Sequence, residues 1–80
     1  MANQAREFQY TVLLDPDDVG GFTVTVPALP GIVTQGDSVE EALDMARDAI
    51  SLYLEDLTAD GEEIPTERTP PRLVTVTVAA

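Results

Sequence analysis

Two stretches near the start of the chain alternate apolar and polar residues with the period of two that is typical of β-strands. They are Phe8–Leu14 and Phe22–Val26, and the shorter segment Ile32–Gln35 is a third candidate strand. Residues 15–21 contain three Asp, two Gly and one Pro, a composition typical of a hairpin loop. Pro27 has no N–H to give to a sheet and ends the second strand, and a turn is predicted over residues 28–31. The pattern therefore predicts an antiparallel meander.

The period of the apolar residues changes to 3.6 after residue 38, which predicts one helix. Ser38 is followed three residues later by Glu41, and this spacing is the capping-box signature of a helix start. The helix is predicted to end near Ala59, with Gly61 as its left-handed terminator. At ~1.5 Å per residue it is about 30 Å long and crosses the sheet. Its apolar stripe is Val39, Ala42, Leu43, Ala46, Ile50, Tyr53, Leu54 and Leu57.

A last alternating stretch, Leu73–Val78, predicts a fourth strand. The fold class is therefore α+β, β-β-β-α-β, in a single domain over residues 1–80 whose residues 1–7 are expected to be disordered. Because strands three and four are joined through the helix, the last strand is expected to run parallel to strands one and three. The face predicted to lie under the helix carries Phe8, Tyr10, Phe22, Val24, Val74 and Val76. The opposite face carries Thr11, Thr23, Thr25, Thr75 and Thr77 and is expected to be exposed or covered by a second subunit.

Composition and charge exclude several classes of protein. The 80 residues include 15 Asp plus Glu, 4 Arg, no Lys, no His and no Cys, and the net charge is −11. A hydrophobic fraction of 44% is ordinary for a globular protein. Disulfides, zinc fingers and Ser-His or Cys-His catalysis are excluded by composition. The charge disfavours direct contact with nucleic acid or acidic membranes. With no signal peptide or membrane-spanning run, the prediction is a cytoplasmic protein without cofactor or metal.

Two groups of acidic residues are candidate partner-binding sites. On the helix, Glu40, Asp44 and Asp48 follow at intervals of four residues and Glu55 lies near the same side; we call these four residues the acidic strip. Like charges at this spacing weaken a helix by ~0.2–0.5 kcal/mol per pair, so the strip indicates either contact with a basic partner or a solvated face. Arg47 is expected to pair with Asp44. The second group consists of Asp15, Asp17 and Asp18.

Three further hypotheses concern metal, catalysis and assembly. The acids of residues 15–18 have the oxygen ligands of a Ca²⁺ or Mg²⁺ site, but without EF-hand spacing they are better explained as turn residues. A two-metal nuclease needs converging carboxylates, which the predicted strands do not supply, so no catalytic residue is assigned.

The residues beside the helix stripe and the last strand are candidates for a subunit interface. Met45, Ala49 and Leu52 lie beside the stripe, where they either widen the core contact or form part of that interface. An uncharged final strand is an exposed edge unless a second subunit covers it. The predicted subunit interface is Leu73, Val74, Thr75, Val76, Thr77, Val78 and Leu52.

A set of short motifs resembles the HicB family, the antitoxins of type II toxin–antitoxin modules. They are Val26-Pro27-Ala28-Leu29-Pro30-Gly31, Thr34-Gln35-Gly36-Asp37-Ser38 and Asp60-Gly61-Glu62-Glu63-Ile64-Pro65. The resemblance covers about Tyr10 to Pro65. It implies a partial ribonuclease-H-like fold, a dimer or tetramer, and a non-enzymatic protein. The implied partner is HicA, a small basic toxin that cleaves mRNA and that HicB neutralises by covering its active surface.

The resemblance also leaves an alternative to the antitoxin function. Full-length HicB antitoxins carry a C-terminal DNA-binding segment, and this sequence ends two residues after the predicted fourth strand. Autorepression is therefore not implied. The alternative function is a stand-alone oligomer that binds a small ligand or another regulator.

Overall fold

The computed structural model describes residues 7–80 and has three strands followed by one helix. The strands are β1 (Leu13–Pro16), β2 (Phe22–Thr25) and β3 (Val33–Gly36), and the helix is α1 (Val39–Ala59). Both strand pairs are antiparallel and the spatial order is β1-β2-β3. The fold is therefore α+β, as predicted. Disorder was expected for residues 1–7, and of these residues 1–6 lie outside the described residues.

The first strand differs from its prediction in position. The pairing with β2 begins at Leu13 and continues to Pro16, whereas strand one was predicted over Phe8–Leu14. The reason is the segment that follows β2: the Leu29 N–H bonds to the Val26 carbonyl at 2.9 Å and the Ile32 N–H bonds to the Leu29 carbonyl at 3.0 Å. Residues 26–32 thus form consecutive turns in place of a longer β2, so residues 8–12 have no strand ladder beside them on the β2 side.

The helix covers one face of the sheet. Val24 in β2 is fully buried with Ala42 and Ala46 of α1, and Val12, Leu14 and Phe22 pack around this cluster. Side chains of a strand alternate between the two faces. The opposite face therefore carries the rows Leu13–Thr25–Val33 and Asp15–Thr23–Gln35. It has no second layer within residues 7–80, and Val33 is 66% exposed there.

A second cluster fixes the helix at the corner where β2 ends. Val26, Leu29 and Ile32 are buried, and Tyr10 and Tyr53 are among the residues packed against them. Leu29 is fully buried although it lies in a turn. Its spacing of three residues from both neighbours places all three apolar side chains on the inside of the consecutive turns.

Both ends of α1 have the caps that the sequence predicts. The Glu41 N–H donates to the Ser38 side-chain oxygen at 3.1 Å, and the Asp37 N–H donates to the Glu41 carboxylate at 2.6 Å. At the other end Gly61 has a φ of +72°, and the Glu62 N–H bonds to the Leu57 carbonyl at 2.9 Å. This is the Schellman motif, which satisfies the last carbonyls of the helix.

The predicted fourth strand is not part of the sheet. Residues 73–80, which we call the tail, have no regular secondary structure and every one of them is exposed. Val74 and Val76, which were predicted to be core residues, are 72% and 75% exposed. The physical reason is that a single strand needs a neighbour for its backbone groups, and no strand of residues 7–80 lies beside the tail.

Candidate protein-interaction surface

The acidic strip lies on the solvent side of the helix. Its four members are all exposed, whereas Ala42 and Ala46 are buried against the sheet. Arg47 bonds to the Asp44 carboxylate at 3.0 Å, as predicted, and the two side chains are 72% and 69% exposed. An exposed pair of this kind contributes only ~0.2–1 kcal/mol. It is the only ion pair of residues 7–80, so within these residues the rest of the strip is not neutralised.

The acids of the hairpin have three different environments. Asp17 accepts hydrogen bonds from the N–H groups of Val19 at 3.1 Å and Gly21 at 2.9 Å, which makes it the residue that orders the loop. Asp18 is exposed within the turn. Asp15 lies inside β1, opposite Thr23, and not in the loop as the sequence predicted. The expected role of Asp17 as a turn residue is therefore confirmed.

The structure brings the hairpin to the end of the molecule where the helix begins. A Cβ on Gly21 would lie 3.0 Å from the Gly36 carbonyl, and one on Gly36 would lie 2.5 Å from the Ala42 nitrogen. The loop and the first turn of α1 are therefore close. Asp15 faces the sheet surface away from the helix, and Glu55 is fifteen residues after the start of the strip, about 22 Å further along the axis.

The acids therefore do not converge on one point. Residues 7–80 contain no group of three acidic side chains placed to hold a metal ion. The arrangement is instead an extended negative surface, which can attract and orient a basic partner but offers no clustered general acid, base or metal ligand.

The sequence did not predict the hydrogen bonds that join the loop after the helix to residues 10 and 11. Glu67 accepts a bond from the Thr11 N–H at 2.6 Å and another from the Thr11 hydroxyl at 2.5 Å. These two bonds lower the pKa of the Glu67 carboxyl. The Tyr10 hydroxyl donates to the Pro65 carbonyl at 2.5 Å, and burial raises the pKa of that phenol. No local pattern signals partners that are 56 residues apart.

A groove runs between the segment 8–12 and the helix. We call it the edge groove; its volume is about 580 Å³, and its lining includes Tyr10, Val12, Ala46, Arg47, Ile50 and Leu54. It lies on the side of the sheet where β1 is the edge strand. Its lining is mostly apolar, and among the described residues that line it only Arg47 is charged.

The residues beside the helix stripe separate into two classes. Ala49 packs against the second core cluster. Met45 and Leu52 are 45% and 62% exposed, so the interpretation of these two as core residues is wrong. Both are accessible to another molecule in the isolated chain.

Comparison with known proteins decides the family. The family model described as "HicB_like antitoxin of bacterial toxin-antitoxin system" matches residues 10–75. The chain belongs to the HicB-like antitoxin family. This confirms the resemblance inferred from the sequence motifs.

Several curated relatives have the same region. The UPF0150 protein Ta0767 of Thermoplasma acidophilum is 46% identical over 57 residues, which are 71% of this chain and 83% of that protein. Antitoxin HicB 1 of Photorhabdus laumondii is 43% identical over 60 residues, 75% of this chain and 39% of the relative. Antitoxin HicB of Escherichia coli K12 is 37% identical over 57 residues, 71% of this chain and 41% of the relative. No solved structure matches.

The matched region is thus less than half of the two named HicB antitoxins. HicB-like antitoxins are binding proteins without enzymatic activity, so the interpretation of this chain as a non-enzyme follows from its family. The helical part of residues 7–80 lacks the continuous apolar stretch that a membrane-spanning helix requires.

Proposed function

We propose that this HicB-like chain acts as an antitoxin that binds and occludes a small basic toxin of the HicA type, which cleaves mRNA. The observation that carries the proposal is the acidic strip: it is exposed over its whole length, and only Asp44 has a cationic partner in residues 7–80. The mechanism is steric coverage of the toxin guided by opposite charge, with no chemical step.

The energetics of the helix support a binding role for the strip. Repulsion between carboxylates one turn apart costs helix stability, and acids near the C-terminal end also oppose the helix dipole. α1 has no basic residue in its last turn to offset this. A basic surface laid on the strip converts the repulsion into attraction and accelerates encounter between the two proteins.

The acids of the hairpin, Asp15, Asp17 and Asp18, form a second proposed contact with the toxin. One of them lies near the acidic strip and another lies on a different face of the molecule. Asp18 lies in the loop near the start of α1, where a partner on the strip also reaches it. Asp17 contributes by fixing the shape of the loop through its two backbone bonds. Asp15 faces the open side of the sheet, so a toxin that contacts it as well must wrap around the β1 edge or bind a separate face.

The test is co-expression with the protein encoded by the adjacent reading frame. The proposal predicts a small basic product with a single His, which co-purifies with this chain and whose RNA cleavage stops when this chain is added at an equimolar amount. Absence of such a neighbour, or a basic neighbour that cleaves RNA equally well in the presence of this chain, contradicts the proposal.

The edge groove supports the alternative function, a stand-alone protein that binds a small ligand or another regulator. Its volume of about 580 Å³ lies in the range of small-molecule sites. Under this alternative, a compound from a metabolite library raises the melting temperature of the chain, and substitution of Ser51, an exposed residue in the groove lining, by Trp abolishes the shift. The antitoxin proposal expects no such dependence.

We further propose that the chain forms a homodimer or homotetramer. Leu52 and the apolar residues of the tail are exposed in the single chain. Their burial between copies removes apolar surface from water.

A further inference from the structure

Two exposed apolar side chains lie on one line of the helix. Met45 and Leu52 are seven residues apart, which is two turns or about 10 Å along the axis, and they are 45% and 62% exposed. Ala49 lies between them at spacings of four and three residues, so the three residues share one side of α1. We call Met45, Ala49 and Leu52 the apolar row.

The core of the fold does not explain the exposed members of the row. Ala49 packs in the second core cluster, whereas Met45 and Leu52 belong to neither cluster of residues 7–80. Single apolar residues scattered over a surface are common, but an aligned pair with a charged border has the layout of a protein interface, an apolar centre within a polar rim.

Acidic residues form that border. Asp48 lies one turn from each end of the row, three residues after Met45 and four before Leu52. Asp44 and Glu55 extend the border along the acidic strip, and both are exposed. The row and the strip are therefore neighbouring parts of one surface of α1.

This layout specifies the chemistry of the partner. Lys and Arg side chains have an apolar stem and a charged end. On a basic surface laid against α1, these stems and any apolar side chain between them can pack on Met45 and Leu52, while the cations reach Asp44, Asp48 and Glu55. A second copy of this chain does not fit, because it brings a net charge of −11 to the same place.

We infer that the apolar row is the centre of the toxin contact and that the acidic strip is its charged border. The inference rests on the proposed antitoxin function and adds the contact that keeps the complex together after opposite charge has guided the encounter. It assigns Leu52 to the toxin, so the contact between copies is left to the tail.

The two parts of this contact act on different rate constants. Charges at the border of an interface mainly change the association rate and its salt dependence, whereas contacts buried at the centre mainly change the dissociation rate. The variant M45A/L52A is therefore expected to raise the dissociation rate constant about tenfold or more, at low and at high salt, with association close to the wild type. D44K/D48K is expected to slow association, and this effect shrinks as salt is added.

The experiment measures both rate constants by surface plasmon resonance for the basic protein that co-purifies with this chain. The control is V33A, because Val33 is 66% exposed on the opposite face of the sheet, in the edge strand away from β1; it is expected to keep both wild-type rates. Alanine favours the helix, so M45A/L52A keeps the fold, which helical circular dichroism verifies.

The outcomes separate the inference from the function on which it rests. If M45A/L52A dissociates no faster than V33A, the row is not the centre of the contact, and the antitoxin function stands without it. If no basic partner binds the wild type, the proposed function fails together with the inference. Light scattering of the isolated chain tests the other occupant: M45A/L52A is expected to have the wild-type mass, and a lower mass assigns the row to a contact between copies and overturns the inference.

Discussion

Leu29 has the largest fully buried side chain of the described residues, and its truncation is expected to remove most of the stability of the fold. It lies in the cluster that joins the corner after β2 to Ile50 and Tyr53 of the helix. A fully enclosed Leu→Ala change costs ~2.7–5 kcal/mol, from lost burial and from the cavity that remains. A core of this size supplies ~3–5 kcal/mol in total. L29A is therefore expected to be largely unfolded at room temperature.

The assay is urea unfolding followed by helical circular dichroism, with the free energy of unfolding extrapolated to water. Leu52→Ala is the matched control, because the same atoms are removed from a side chain that is 62% exposed. Its effect is expected to lie within ~0.5 kcal/mol at protein concentrations where the chain is monomeric. A loss of less than ~1 kcal/mol in L29A refutes the reasoning, since it means that the corner cluster does not hold the helix on the sheet.

Two further predictions concern a glycine and a carboxylate. Gly36→Ala is expected to destabilise the chain by ~1–3 kcal/mol, because its new Cβ would lie 2.5 Å from the Ala42 nitrogen; Gly31→Ala, with open space around it, is the control, and equal urea midpoints for the two variants contradict the prediction. The pKa of Glu67 is lowered by its bonds to Thr11, so the stabilisation from this contact is present above the ordinary Glu pKa and is lost as the pH falls through the lowered one. An NMR titration of the Glu67 carboxyl is expected to show a higher pKa in Thr11→Val, and identical titration curves rule out this cause.

The features that the sequence predicts correctly depend on neighbours along the chain. The helix ends were predictable because Ser38 and Glu41, or Gly61 and Glu62, act within one turn of each other. The hairpin was predictable because Asp17 bonds to backbone groups two and four residues later. These interactions need no partner from a distant part of the chain.

The features that the sequence does not predict correctly depend on distant segments. The position of β1 is set by the turns around Leu29, which remove the ladder partner from residues 8–12. The state of residues 73–78 depends on whether another strand lies beside them, and a single chain does not provide it. The bonds of Glu67 join segments 56 residues apart in a loop without periodicity.

In the candidate site, too, the local features were predictable from the sequence and those that depend on distant segments were not. Helical periodicity was enough to place Glu40, Asp44 and Asp48 together on the exposed side of α1. It did not place Asp15, because a shift of the first strand moved this residue from the loop into the ladder opposite Thr23. The edge groove had no sequence signal, since it is formed by two segments more than thirty residues apart.

The central claim is that the acidic strip is where this HicB-like chain holds a basic toxin. The direct measurement is the Kd for the co-purified basic partner at low and high salt, for D44K/D48K and for the equally charged control E62K/E63K, whose side chains are also exposed. An exposed charge pair is worth ~0.2–1 kcal/mol, and reversal replaces attraction with repulsion, so two reversals on the strip cost about 1–4 kcal/mol.

The account predicts that D44K/D48K weakens binding about fivefold or more and flattens the salt dependence, whereas E62K/E63K stays close to the wild type. Equal weakening by the two variants would mean that only net charge matters, and unchanged binding in D44K/D48K would mean that the strip is not in the interface; either result contradicts the claim.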